Sequence, residues 1–525
     1  MIFSDINNKN IEILDTTLRD GAQAEGVAFS VLDKLRIASA LHALSIDYIE
    51  ACNPSANPKD AEFFEKASNM PFNKNLVAFT STRRKDCAVQ DDTGLNALLV
   101  ANTATVCIFG KASSVQVESI LGITKQENLE IIESSVKFLK ESGKRVIFDA
   151  EHFFDGYKSD PQYALEAITV AHSADADIIC LCDTKGGSFP HEIAEIIKIV
   201  KSALPNTLLG IHTHNDLGLA TACTLEAVRC GAVHVQGTYL GFGERCGNAQ
   251  LSAIIPALQL KLGYNLIPKE KLPLLTATAN KIAEIANISL KKNEPFVGRS
   301  AFAHKAGMHA DGIIKSVESF EHIDPQAVGN TRRILMSEMT GKAAVFSKIH
   351  SIAPQLTRNS EEIEKITEEI KRMEHLGYQY EAAEASFEML VRRTLGHFEN
   401  SFELISYKIM DEMPHESACS ATATIKVKVN DTVQIAAAEG DGPVNALDKA
   451  LREALSVFYR ELETVKLIDY KVRVMEPKDA TAAVVRVLIS STDGNKIWTT
   501  VGVSTDIIEA SWFALVDSIE YKLRG

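Results

Sequence analysis

Residues 145–216 read RVIFDAEHFFDGYKSDPQYALEAITVAHSADADIICLCDTKGGSFPHEIAEIIKIVKSALPNTLLGIHTHND. Three short apolar runs begin at Arg145, Ala176 and Leu208. Between them lie two stretches, ALEAITVAHSA and HEIAEIIKIVKSAL, in which Ala, Leu, Glu and Lys recur at three-to-four spacing. The runs suit strands buried on both faces, the stretches suit amphipathic helices, and the alternation predicts a parallel sheet covered by helices.

The same rhythm continues on both sides. Upstream are IEILDTTLRD from Ile11, IDYIEACN from Ile46, NLVAFT from Asn75 and TATVCIFG from Thr103; downstream is VHVQGTYLG from Val233. Eight β–α units over about 250 residues fit a closed (β/α)8 barrel. An open doubly wound sheet would carry a Gly-rich phosphate fingerprint after its first strand, and DTTLRDG is not one. In a barrel the functional side chains sit at the C-terminal ends of the strands. The polar clusters fall there: DTTLRDG, DAEHF, CDTKGG, HTHND and GFGERCGNA.

The barrel is expected over residues 1–265. Residues 266–400 read as a mostly helical, charged linker that carries a piece of active site, FVGRSAFAHKAGMHADG. Residues 401–525 change period again: ATATIKVKVN alternates as a strand, EGDGPVNALDKALREALSVFYREL is a helix, three strands follow, and IIEASWFALVDSIEYKLRG closes the chain. This predicts a separate α+β module for regulation or assembly.

Composition narrows the partners. The 525 residues suggest three or four domains at about 100–200 residues each. Lys+Arg number 55 against 69 Asp+Glu, a net −14 with no polybasic run. Such a chain is poorly suited to nucleic acid or an anionic membrane. The polar start MIFSDINNKN resembles no signal peptide, and no apolar stretch approaches the ~20 residues that span a bilayer. Nine Cys without a Cys-x-x-Cys pair fit free thiols in a reducing cytoplasm.

His212 and His214 stand two apart on a strand, so both point inward at the barrel's upper rim. Such a pair can ligate one cation; it also fits a hydrogen-bonded polar plug. The seam where strand 8 meets strand 1 adds Asp20, and GERCGNA adds Asn248, completing a mixed oxygen/nitrogen set for Mn, Mg, Co or Zn. Arg19, next to Asp20, suits a substrate carboxylate or a developing alkoxide, or else a surface ion pair. Glu151 reads as a base, an orienting group or a structural partner, and Thr184 offers a hydroxyl. His309 and Asp311 are spaced as an orienting pair for acid–base work, with His304 a weaker candidate in the same stretch.

LDTTLRDGAQ, IHTHNDLGLA, GERCGNA, VGRSAFAHKAGMHADG and the tail resemble the 2-alkylmalate synthases, which comprise the isopropylmalate, homocitrate and citramalate synthases. The resemblance spans nearly the whole chain. It is closest to the long citramalate branch through NPKDAEFF, DAEHFFDGYK, GNAQLSAIIPALQLKLGY, EAAEASFEMLVRR and AEGDGPVNALDKAL. It implies an acyltransferase: a metal-dependent Claisen condensation of acetyl-CoA with pyruvate, giving (R)-citramalate and CoA for isoleucine biosynthesis. It places the divalent metal on Asp20, His212, His214 and Asn248, Arg19 on the keto oxygen, Thr184 on the substrate carboxylate and Glu151 near the acetyl group. It gives His309, with Asp311, acetyl-CoA activation from a neighbouring subunit of a homodimer. It makes the tail an allosteric domain for an amino acid, usually isoleucine.

Three departures stand out. ACNPSA (Ala51–Ala56) replaces the branch's Gly-Gly-Trp-Pro-Gly-Ser, Lys185 replaces Asn after Cys-Asp-Thr, and Phe320 stands where relatives often carry Tyr. The competing readings are a condensing enzyme for a bulkier 2-keto acid, a barrel lyase cleaving a hydroxyacyl-CoA, and a catalytically silent amino-acid sensor.

Overall fold

Eight strands pair in sequence order and close on themselves: β1 (Glu12–Asp15), β2 (Tyr48–Cys52), β3 (Leu76–Ser81), β4 (Thr105–Lys111), β5 (Arg145–Glu151), β6 (Ile178–Asp183), β7 (Leu209–Thr213) and β8 (His234–Gly237). The last pairs with the first in parallel, from Glu12 opposite His234 to Asp15 opposite Gly237. The computed structural model describes residues 10–304, 312–313, 316–334, 346, 348–350, 352–357, 360–380, 382–396, 398–412, 421–475, 483–494 and 496–524. The described residues form two units, Met1–Phe302 with Glu321–Arg332, and Ala303–Phe320 with Arg333–Gly525.

The strands are apolar on both faces because both are buried. Leu14, Val77, Cys107, Ile147, Ile178 and Cys180 form one cluster inside the barrel. Alternate residues such as Val106, Phe148, Ile179 and Ile211 pack against the helices. The two-residue period then carries Asp149, Glu151, Cys182 and His212 to the interior face near the strands' C-terminal ends. At the opposite end, Glu12, Tyr48, Arg145 and His234 plug the barrel. Arg145 reaches Glu12 at 3.4 Å, and the Tyr48 and His234 rings lie 5.8 Å apart.

Local signals start the helices. Ser30 accepts the Asp33 N–H while Asp33 accepts the Ser30 N–H, opening helix Val31–Ala43; Thr124 and Glu127 do the same for Lys125–Glu141. Each reciprocal pair satisfies two donors that the first helical turn leaves free. Pro58, Pro161 and Pro190 each open a helix, where a missing N–H costs nothing. Helix Leu275–Ile285 completes the barrel's packing, and the buried Tyr239 hydroxyl donates to the Leu275 carbonyl at 2.9 Å.

The second unit begins with the parallel pair β9 (Ala303–His304) and β10 (Arg333–Ile334). Helices Glu361–His375 and Glu384–Thr394 share a core with Val501 and Val503. Two successive strand–strand–strand–helix blocks follow. The first is β11 (Glu403–Asp411), β12 (Ala421–Val429), β13 (Thr432–Gly440) and helix Pro443–Ser456; the second is β14 (Lys466–Val474), β15 (Val485–Thr492), β16 (Ile497–Ser504) and helix Ile507–Arg524. The sequence reading foresees only β12 before the first of these helices. A bulge between Leu404 and Ser406 interrupts the period of β11, and β13 turns Gln434, Ala436 and Ala438 inward and Val433 and Ile435 outward, so hydropathy marks neither strand; the β12–β13 ladder runs in unbroken register into a tight Asn430–Asp431 turn. Among the described residues, no helix is long and apolar enough to cross a membrane.

Candidate active site

The loop after β1, the end of β7 and the loop after β8 converge on one point. Ligand-capable atoms of Asp20, His212 and His214 all lie within 4.8 Å of one another. The Nε2 atoms of His212 and His214 stand 3.5 Å and 3.8 Å from Asp20 Oδ2. Asn248 is brought alongside by a backbone bridge to His214, and its amide donates to Asp20 Oδ1 at 2.9 Å. Gly243 leaves room for it, since a Cβ there would sit 2.2 Å from the Asn248 amide nitrogen. All four side chains are buried, and Asn248 Oδ1 has no hydrogen-bond partner among the described residues. Two imidazole nitrogens, a carboxylate oxygen and an orphaned amide oxygen form a donor set that fits a divalent cation.

A cavity of about 220 Å3 opens beside this cluster, walled in part by Arg19, Phe79, Phe109, Asp149, Glu151, Thr184 and Arg245. Arg19 donates to Glu50 at 2.7 Å and to Asp20 at 3.1 Å, and its guanidinium carbon lies 4.0 Å from the Phe79 ring centroid. Phe79 stacks on Phe109 at 5.4 Å. Glu151 pairs with Lys111 at 2.5 Å. The Thr184 hydroxyl accepts the His152 N–H at 2.8 Å. Arg245 donates to the Thr184 carbonyl and holds Asp216.

Burial alone would raise the Asp20 carboxyl, but the Arg19 charge and both histidines pull it well below the usual carboxylate range. Burial and the neighbouring His212 charge depress His214 to about 4, keeping it neutral. Burial works against a charged His212 as well, yet its contact with Asp20 leaves its pKa raised. Asp149 is raised, first by burial and then by Glu50.

The HMGL-like family model matches residues 10–286, the homocitrate synthase post-HMGL domain-like model residues 296–377, and the LeuA allosteric (dimerisation) domain model residues 381–523. The (R)-citramalate synthase of Aquifex aeolicus (strain VF5) is 48% identical over 98% of both chains. That of Geobacter sulfurreducens is 46% identical over 98% of both, and that of Methanocaldococcus jannaschii 31% identical over 98% of this chain and all of its own. The chain belongs to the (R)-citramalate synthase family.

Of the residues singled out in the sequence, the structure of this family member gathers Arg19, Asp20, Glu151, Thr184, His212, His214 and Asn248 around one cavity. His309 and Asp311 lie outside the described residues. His304 sits in β9 of the second unit. Two of the three departures have structural partners. Lys185 turns to Asp155 at 2.9 Å, so its added charge is neutralised locally. Phe320 covers Gly312, where a Cβ would meet its ring at 2.2 Å. In the Ala51–Ala56 segment, Asn53 accepts the Ser55 N–H at 3.0 Å and holds the turn.

Sequence reasoning missed Glu50, Lys111, Asp149, Gln236 and Arg245. Glu50 is the one charged residue of β2 and Lys111 the one charged residue of β4, at its end; Asp149 and Gln236 share their strands with other polar residues, Arg145 and Glu151 in β5 and His234 in β8. Arg245 takes a positive φ of 56° just beyond β8, a feature of the fold that the sequence does not announce.

Proposed function

We propose that the chain condenses acetyl-CoA with pyruvate to (R)-citramalate and CoA. The observation that carries this reading is the convergence of Asp20, His212, His214 and Asn248 beside Arg19 at the mouth of one barrel. A divalent cation held by those four residues supplies Lewis-acid polarisation of the keto oxygen when bound. Arg19 is fixed by Glu50 and by the Phe79 face, so its outer N–H groups are pre-oriented toward the charge that develops on that oxygen. The Thr184 hydroxyl already accepts a backbone N–H, which leaves its own hydrogen for the substrate carboxylate. Glu151 is assigned to the acetyl end. His309, with Asp311, is assigned to acetyl-CoA activation from the neighbouring subunit, on the strength of the sequence resemblance. The new carbon–carbon bond joins the acetyl methyl carbon to the keto carbon, and water then releases CoA from the thioester.

The LeuA-type domain supports dimerisation and regulation. The exposed Ile405, Val433, Ile435, Ile468 and Val472 fit strand faces that a second copy would cover in a homodimer. Isoleucine is the proposed effector and the cytoplasm the proposed location.

The test is thiol release from acetyl-CoA with Mn2+, comparing pyruvate, 2-ketobutyrate, 2-ketoisovalerate and 2-ketoglutarate with and without chelator. Chelator-sensitive turnover preferring pyruvate is expected. A preference for 2-ketoisovalerate would move the chain to isopropylmalate chemistry, and no turnover by folded, metal-loaded protein would favour the silent-sensor reading.

A further inference from the structure

His212 Nδ1 meets Gln236 Oε1 at 2.9 Å, and Gln236 Nε2 donates to Asp149 Oδ1 at 2.8 Å. The three side chains are buried and come from three strands, β7, β8 and β5. We propose that Gln236 and Asp149 are positioning residues that fix the tautomer of His212 for cation binding, which rests on the reading of Asp20, His212, His214 and Asn248 as the cation site.

Donor and acceptor polarity decides which ring nitrogen of His212 carries the proton. In the neutral ring that a cation requires, an acceptor at Nδ1 holds the one proton there, which leaves the lone pair on Nε2, the atom facing Asp20. A glutamine amide has no such preference by itself. Turned over, it would aim its NH2 group at Nδ1, move the ring proton to Nε2 and block the ligand position. The Asp149 oxygen accepts a hydrogen bond and so holds the amide nitrogen on its own side. The bonds therefore run in one direction, His212 to Gln236 to Asp149. Outer partners of this kind orient metal-binding imidazoles.

The experiment titrates Mn2+ into chelator-stripped full-length protein, reading free Mn2+ by electron paramagnetic resonance, with thermal unfolding of each stripped variant alongside. Gln236→Leu removes the acceptor and is expected to weaken Mn2+ binding about 10–100-fold. Gln236→Glu alone sets two carboxyl groups face to face and weakens binding too. Adding Asp149→Asn restores a donor opposite an acceptor, with the wild-type charge. That double variant is expected to bind within about threefold of wild type, the coupling expected of residues in one hydrogen-bond network. Binding by Gln236→Leu within about threefold of wild type, or a double variant that binds as weakly as Gln236→Leu, overturns the proposal. If Gln236→Leu does not fold, the Gln236→Glu pair decides, since neither of those variants removes a polar atom. The cation-site reading fails separately, by weak binding to the wild type or undiminished binding to His212→Ala.

Discussion

Arg19 is asked to do two things, and one set of variants separates them. Its Nε donates to Glu50 at 2.7 Å, and the Glu50 side chain is fully buried. At an effective dielectric near 20, the attraction at that distance is about 6 kcal/mol. The folded protein has already desolvated Glu50, so deleting the guanidinium leaves a buried, uncompensated carboxylate whose remaining support is the Thr16 hydroxyl at 2.6 Å. Arg19→Met should therefore destabilise the barrel by about 3–5 kcal/mol, or roughly 6–20 °C in its unfolding transition. Adding Glu50→Gln removes the stranded charge and should return at least half of that loss. Activity should behave differently. If the guanidinium stabilises charge on the keto oxygen, kcat falls about 10²–10³-fold in both variants, because neither contains it. The assays are scanning calorimetry of the stripped protein and thiol release with Mn2+ and pyruvate. Recovery of activity together with stability in the double variant would refute the catalytic role and leave Arg19 a structural partner of Glu50. A loss below about 1 kcal/mol in Arg19→Met would refute the account of Glu50.

Gly243→Ala places a methyl 2.2 Å from the Asn248 amide nitrogen; Mn2+ affinity should fall about tenfold or more, and unchanged affinity in a titration would mean that Asn248 is no ligand. Asp15 gives a pH signature. Burial, opposed by hydrogen bonds from Thr17, lifts its carboxyl to about 7. Between about pH 4 and 7 the folded state keeps a proton that the unfolded chain has lost, so stability falls as pH rises through that window, by up to about 4 kcal/mol. Asp15→Asn keeps an acceptor for the Thr17 N–H and should raise the melting temperature at pH 8 more than at pH 4.5; equal shifts at both would contradict the buried, protonated Asp15. Mixing His309→Ala with Asp20→Ala protein should restore part of the activity through hybrid dimers; no recovery after demonstrated subunit exchange would remove the trans role of His309.

What could be read in advance follows from the range of the interactions. The barrel was legible because each strand–helix unit carries its own pattern, buried on both faces of the strand and one face of the helix. His212 and His214 were legible because two-residue spacing on a strand is itself a statement about direction. Asp20 and Asn248 required closure, since β1 and β8 are neighbours only in a barrel. Glu50, Lys111, Asp149 and Gln236 were visible as polar residues in buried strands but had no assignable partner. Their partners sit on other strands: Glu50 on β2 holds Arg19 beyond β1, and Gln236 on β8 reaches Asp149 on β5. A polar residue at an inward position in the upper half of a barrel strand is too costly to bury unpaired. It therefore predicts that a partner exists, while only the closed barrel says which one. β11 and β13 fail to announce themselves for a different reason: a bulge between Leu404 and Ser406 breaks the period of β11, and in β13 the half-buried face carries Gln434, Ala436 and Ala438 while Val433 and Ile435 face outward.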